Sequence, residues 1–103
     1  KEEIRERKNL ESQRTKELAN KAEDYRIACD IRRFIKDAMK SGKEEFSHEW
    51  LAWASLKADW YDPIIAAEDK YLGVREHGKS KEEKEMGDEK IRKEKSIFYG
   101  SWY

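Results

Sequence analysis

A chain of 103 residues is long enough for one domain. With 45% charged residues, 37% hydrophobic ones and a mean hydropathy of -1.18, it cannot bury a face on every segment, so one compact core with charged extensions is expected. The 23 basic and 23 acidic side chains cancel, which argues against a dedicated nucleic-acid grip, and no apolar run approaches the roughly 20 residues a membrane helix needs. Cys29 is the lone cysteine, so no intramolecular disulfide can form and a reducing cytoplasm is the expected setting. The sequence opens at Lys1 and reads as a fragment of a longer protein.

The runs between the sparse glycines are rich in Ala, Glu, Lys, Arg and Leu, and no period-two alternation marks a strand, so the fold class is all-α. A first helix is predicted from near the start to about Lys40, ending before Ser41 and Gly42. Ile27, Ala28, Ile31, Phe34, Ile35, Ala38 and Met39 form its core stripe, while Leu18, Ala22, Tyr25 and Cys29 form a narrower stripe that points elsewhere. Before Leu18 only Ile4 and Leu10 are large and apolar, so residues 1–17 read as a solvated helical extension or as part of a coiled coil.

Ser47 is the predicted cap of a second helix that runs to about Tyr61, and Phe46 and Leu51 stand at the spacing of a hydrophobic staple around it. Trp50, Leu51, Ala54, Ala58 and Tyr61 line one side, and Trp53, Leu56 and Trp60 another. A helix apolar on two sides must touch two things. Asp62 and Pro63 predict a third helix over 63–72, with Asp as cap, Pro in the first turn and Gly73 as stop. The core centre is expected at Ile31, Phe34, Ile35, Trp50, Leu51, Ala54 and Tyr61. Residues 75–96 are nearly all polar, and Ile97, Phe98, Tyr99, Trp102 and Tyr103 then crowd into seven positions. The expected organisation is a charged helical extension over 1–23, a helical core over 24–75 and a charged helix or linker with an aromatic tail over 76–103.

Ile31-Arg32-Arg33-Phe34-Ile35, followed by Trp50-Leu51-Ala52-Trp53-Ala54 and by Ala58-Asp59-Trp60-Tyr61-Asp62-Pro63, resembles the C-terminal segment of a group of uncharacterised bacterial proteins. There, a long helix rich in Glu, Arg and Lys precedes the same order of elements. The likeness spans about residues 10–65 and rests on the Trp-x-x-Trp-Ala and Ala-Asp-x-x-Asp-Pro spacings. It implies a bacterial cytoplasmic protein with a further N-terminal domain, and no activity.

Residues 73–80, Gly-Val-Arg-Glu-His-Gly-Lys-Ser, fit the phosphate-loop pattern G-x-x-x-x-G-K-[ST]. That loop works only between a buried strand and a packed helix, and neither flank reads that way, so a helix stop and a polar turn are expected instead. His48-Glu49 opens like a zinc-protease motif, but Ala52 stands where the second histidine would be. Cys29 reads as a small apolar residue of a helix face, and Asp59, Asp62, Glu68 and Asp69 as caps and solvated carboxylates. No enzyme, metal set or cofactor is expected. The expected function is a protein-interaction or self-association module, as a homodimer or with a protein partner and away from membranes. Leu18, Ala22, Tyr25, Trp53, Leu56, Trp60, Phe98 and Trp102 are the contact candidates. The second reading is an accessory nucleic-acid module using Arg14, Arg26, Arg32, Arg33 and Lys36 with the aromatics.

Overall fold

The computed structural model of the protein describes residues 1–86. Two helices dominate: α1 over Glu2–Ser41 and α2 over His48–Tyr61, followed by a turn-rich strap over residues 62–80 and a short helical stretch, α3, over 81–86. Among the described residues there is no strand, and the one bridge pairs Asp69 with Gly73. The fold is small and all-α.

Each helix end follows from local chemistry. α1 stops where Gly42 takes a left-handed backbone with φ 66° and its N–H donates to the Met39 carbonyl, a position that favours glycine. α2 starts where the Ser47 hydroxyl accepts the Trp50 N–H at 3.2 Å. α3 starts where the Ser80 hydroxyl accepts the Glu83 N–H at 3.2 Å and donates to the Glu83 carboxylate at 3.0 Å.

The centre of the α1–α2 contact is built from small side chains. Ala28 and Ala58 are fully buried, and Ala38, Ala54 and Trp60 nearly so. Alanine leaves the two helix backbones free to approach closely, and the larger side chains are pushed to the margins of the contact. Ile31, Ile35, Trp50, Leu51 and Tyr61 are therefore only half-buried. Phe34, expected at the core centre, is 53% exposed and meets Phe46 and Trp50 edge-on, with ring centroids 5.8 and 6.0 Å away. It borders the core instead of filling it.

The expected helix over 63–72 does not form. The Asp62 carboxylate accepts the N–H groups of Ile64 at 2.8 Å and Ile65 at 3.4 Å, and the Ala66 N–H donates to the Asp62 carbonyl, which closes a single turn. Ala66 then adopts φ 50°, a left-handed conformation that ends the turn. Next, the Asp69 carboxylate accepts the N–H groups of Tyr71 and Leu72, both at 2.9 Å, and Gly73 with φ 75° reverses the chain. Asp62 does act as a cap, but of one turn. Ile64, Ile65 and Tyr71 stay exposed, so a continuous helix would bury no apolar face that could repay its formation.

The packed region is also longer than the expected 24–75. It starts at Glu17, whose side-chain carbons lie within 4 Å of where a Cβ on Gly78 would stand, and reaches Lys84, which contacts α1. Residues 2–16 of α1 are all exposed. Trp60→Ala should cost about 3–5 kcal/mol as a buried aromatic truncation, and Phe34→Ala only about 1–2 kcal/mol because half of its surface is already wet. Urea melts of the two variants check the order.

Candidate functional site

Asp24 lies on α1 in the same helical register as Ala28 and Ile31, so the helix itself carries a carboxylate into the packed face. It is 1% exposed. Its Oδ2 accepts from Arg75 Nε at 2.9 Å and from His77 Nδ1 at 2.8 Å. Its Oδ1 accepts from Arg75 Nη2 at 3.1 Å and faces Lys84 Nζ at 3.0 Å. Two carboxylate oxygens offer about four lone-pair directions, and all four are occupied. Burial pushes the Asp24 carboxyl up, but the bonds from Arg75, Lys84 and His77 outweigh it and hold the group below its ordinary value.

The donors come from the strap and α3, and further contacts align them. Asn20 Nδ2 donates to the Gly78 carbonyl at 2.9 Å, one turn of α1 before Asp24. The Arg75 guanidinium lies over Trp60 and Tyr61, 5.0 and 4.6 Å from the ring centres. Trp60 Nε1 donates to the Gly73 carbonyl at 2.9 Å, so the buried indole has its polar partner. A cavity of about 260 Å³ opens beside this clasp, with Glu23, Arg26, Lys81 and Glu85 on its rim. With every lone pair committed and a depressed pKa, Asp24 is poorly suited to act as a general base. Its evident work is to hold the strap.

Two other carboxylates join α1, α2 and the strap. Asp62, 3% exposed, pairs with Arg32 at 2.8 Å while it caps the turn after α2. Burial raises its pKa, but the Ile64 and Ile65 amides and Arg32 bring it below the ordinary value. Asp69 pairs with Lys57 of α2, and that ammonium, helped by the Leu72 and Tyr71 amides, pulls its pKa down to about 2.

The phosphate-loop lookalike is thus the clasp's own segment. Gly73 turns the chain, Arg75 and His77 reach Asp24, Gly78 accepts from Asn20, and Ser80 caps α3. Lys79 is half exposed and pairs with Glu76. No strand delivers the loop. His48 is exposed in the first turn of α2, and Cys29 is half-buried. Among the described residues no group of three or more His, Cys, Asp or Glu side chains stands close enough together to hold a metal, and no helix is long and apolar enough to cross a membrane.

Among the described residues two apolar surfaces stay open. On α1, Leu18 is 68% and Tyr25 42% exposed, Ala22 is exposed, and Cys29 continues the stripe. At the other end, Ile31, Phe34, Trp50, Trp53, Trp60 and Leu72 line a groove of about 400 Å³. Trp53 and Leu56 are exposed. Trp60 is not. It is 4% exposed, packed beneath Arg75, and belongs to the interior. Phe98 and Trp102 lie outside the described residues. The sequence reading missed Asp24, Arg75, His77 and Lys84 as a set. One signal was present: an aspartate four residues before Ala28 and seven before Ile31 sits on an apolar stripe, and a carboxylate there demands cations from elsewhere.

No family model, curated protein or solved structure matches the chain.

Asp24→Asn should destabilise the fold by about 3–5 kcal/mol, because Arg75 and Lys84 lose their buried counter-charge. The wild type should lose stability as pH falls from about 4 towards 2. Asp24, Asp62 and Asp69 all have depressed pKa values in the folded state, so their contribution is complete above the ordinary carboxylate value and is removed as they protonate. Thermal melts across that range check this, and Asp24→Asn should show a shallower acid loss. Lys79→Ala should shift stability by no more than about 0.5 kcal/mol and leave calorimetric titration with Mg-ATP as flat as in the wild type.

Proposed function

We propose that this chain is a non-catalytic protein-interaction module that self-associates through α1. The observation that carries the reading is the Leu18, Ala22 and Tyr25 stripe, which is bare among the described residues while the strap covers the Asp24 side of the same helix turns. Tyr25 stands one heptad after Leu18 and Ile4 two heptads before it, with Glu11 at the position between, so the continuous apolar stripe is the stretch from Leu18 to Tyr25. A bare helix of about 15 residues is marginal in water by itself, and pairing with a second α1 would support it.

Charge favours a second copy as the occupant. The chain has no net charge to repel its like. The arginines beside the stripe are neutralised within their own helix: Arg14 by Glu11 at 3.4 Å, and Arg26 by Glu23 and by Asp30 at 2.6 Å. The same pairing weakens the nucleic-acid reading. Arg32 is engaged by Asp59 and Asp62, and Arg33 lies 3.9 Å from Asp30, so four of the five cations that reading needs already face carboxylates. A reducing cytoplasm suits the lone Cys29 on the edge of the stripe.

Sedimentation equilibrium at micromolar concentration tests the proposal. The expected result is about twice the 12.4 kDa chain mass, little changed by added salt, and a monomer for Leu18→Asp with the helix content retained. A wild-type monomer across that range, or a Leu18→Asp variant of unchanged mass, would sink it.

A further inference from the structure

The open groove between α1, α2 and the strap is a different surface from the α1 stripe. Its walls are rings and branched side chains: Ile31 and Phe34 from α1, Trp50, Trp53 and Trp60 from α2, and Leu72 from the strap. Phe34, Trp50 and Trp53 form a chain of rings with centroids 6.0 and 6.2 Å apart. Such a wall offers further aromatic rings the edge-to-face and offset contacts they prefer. The charge at its rim is already matched, because Lys57 is held by Asp69. The groove therefore suits an occupant that is aromatic and uncharged.

We infer that this occupant is the segment 97–103 of the same chain. Five of its seven residues are large and apolar: Ile97, Phe98, Tyr99, Trp102 and Tyr103. None is charged. The ten residues before it, 87–96, hold a single large apolar side chain, Ile91, and have the composition of a solvated spacer. The described chain ends at Met86, two residues past Lys84, which is fixed at Asp24. From Asp24, the α1 side of the groove at Ile31 and Phe34 is seven and ten residues further along the helix, about 10 and 15 Å at 1.5 Å per residue. A ten-residue spacer can span up to about 33 Å, more than twice that distance.

The tether also decides between this segment and a second copy. A segment on a spacer of this length faces the groove at an effective concentration on the order of millimolar, far above that of free chains in a micromolar solution. The segment thus closes the apolar groove in cis, and self-association is left to the α1 stripe.

The test uses the full chain, the full-chain double variant Phe98→Asp with Trp102→Asp, and a soluble peptide of residues 88–103. The expected result is that the double variant keeps its helix content by circular dichroism, enhances the fluorescence of an apolar dye severalfold over wild type, and binds the peptide. The wild type should bind the peptide at least tenfold more weakly, because its groove is occupied. Adding Trp53→Glu to the double variant should abolish peptide binding. Equal peptide affinity for wild type and double variant, or no binding to the double variant together with unchanged dye fluorescence, overturns the inference. So does a wild-type dimer that the double variant converts to monomer while Leu18→Asp does not, because the segment would then dock between chains. Loss of dimer in Leu18→Asp alone reports on the stripe and leaves the groove result to be read separately.

Discussion

One buried carboxylate holds the third part of this molecule against the first two. Asp24 receives donors from residues 51, 53 and 60 positions further along the chain. Each of its lone pairs is used, which is the condition under which a buried charge is tolerated. Through Arg75 the same contact roofs Trp60, the one large apolar side chain buried among the described residues. Without Asp24 the strap would keep its ties to Asn20, to Arg32 and to α2, but Trp60 would lose the Arg75 roof. The packing of the aromatic and the pairing of the charge are therefore one interaction seen from two sides.

This arrangement compensates for a thin core. Where two helices meet through alanines, little apolar area is removed from water per residue, and most of the stabilisation from large side chains has to come from the margins. Carboxylates supply the rest of the specificity. Asp62 and Asp69 each do two things at once: they accept the backbone N–H groups of a turn and they pair with a cation on a helix, Arg32 or Lys57. Turn geometry and helix position are thereby linked at the same oxygen pair, so the strap's path is set by charge as much as by apolar contact.

The thin core also accounts for the surfaces left over. Aromatic residues that a thicker bundle would bury, such as Phe34 and Trp53, instead line an open groove, and the stripe from Leu18 to Tyr25 lies beyond the strap's reach on α1. Contiguous exposed apolar surface of this kind is uncommon on a highly charged chain, and it is the feature on which the proposed self-association rests. The arginines beside the stripe, by contrast, are turned on carboxylates of their own helix, as Arg26 with Glu23 and Asp30 shows.

The sequence by itself determined the all-α class, both long helices and their ends, because Ser47 and Gly42 act on amides and carbonyls within one turn of themselves. It also showed why residues 73–80 lack the flanks of a nucleotide loop. Only the tertiary structure decided what those residues do. Arg75 and His77 are polar residues of a turn until α1 brings Asp24 to them across more than fifty residues, and no local rule pairs them. The stretch 63–72 shows the same limit. Its helix signals at Asp62 and Pro63 are real, but Asp69 on Lys57 and the Trp60 indole on the Gly73 carbonyl outweigh the few tenths of a kcal/mol per residue that helix propensity supplies. Phe34 follows too: periodicity places it on the inner stripe, but how deep that stripe lies depends on how closely two alanine-faced helices approach, which is a property of the pair and not of either sequence segment.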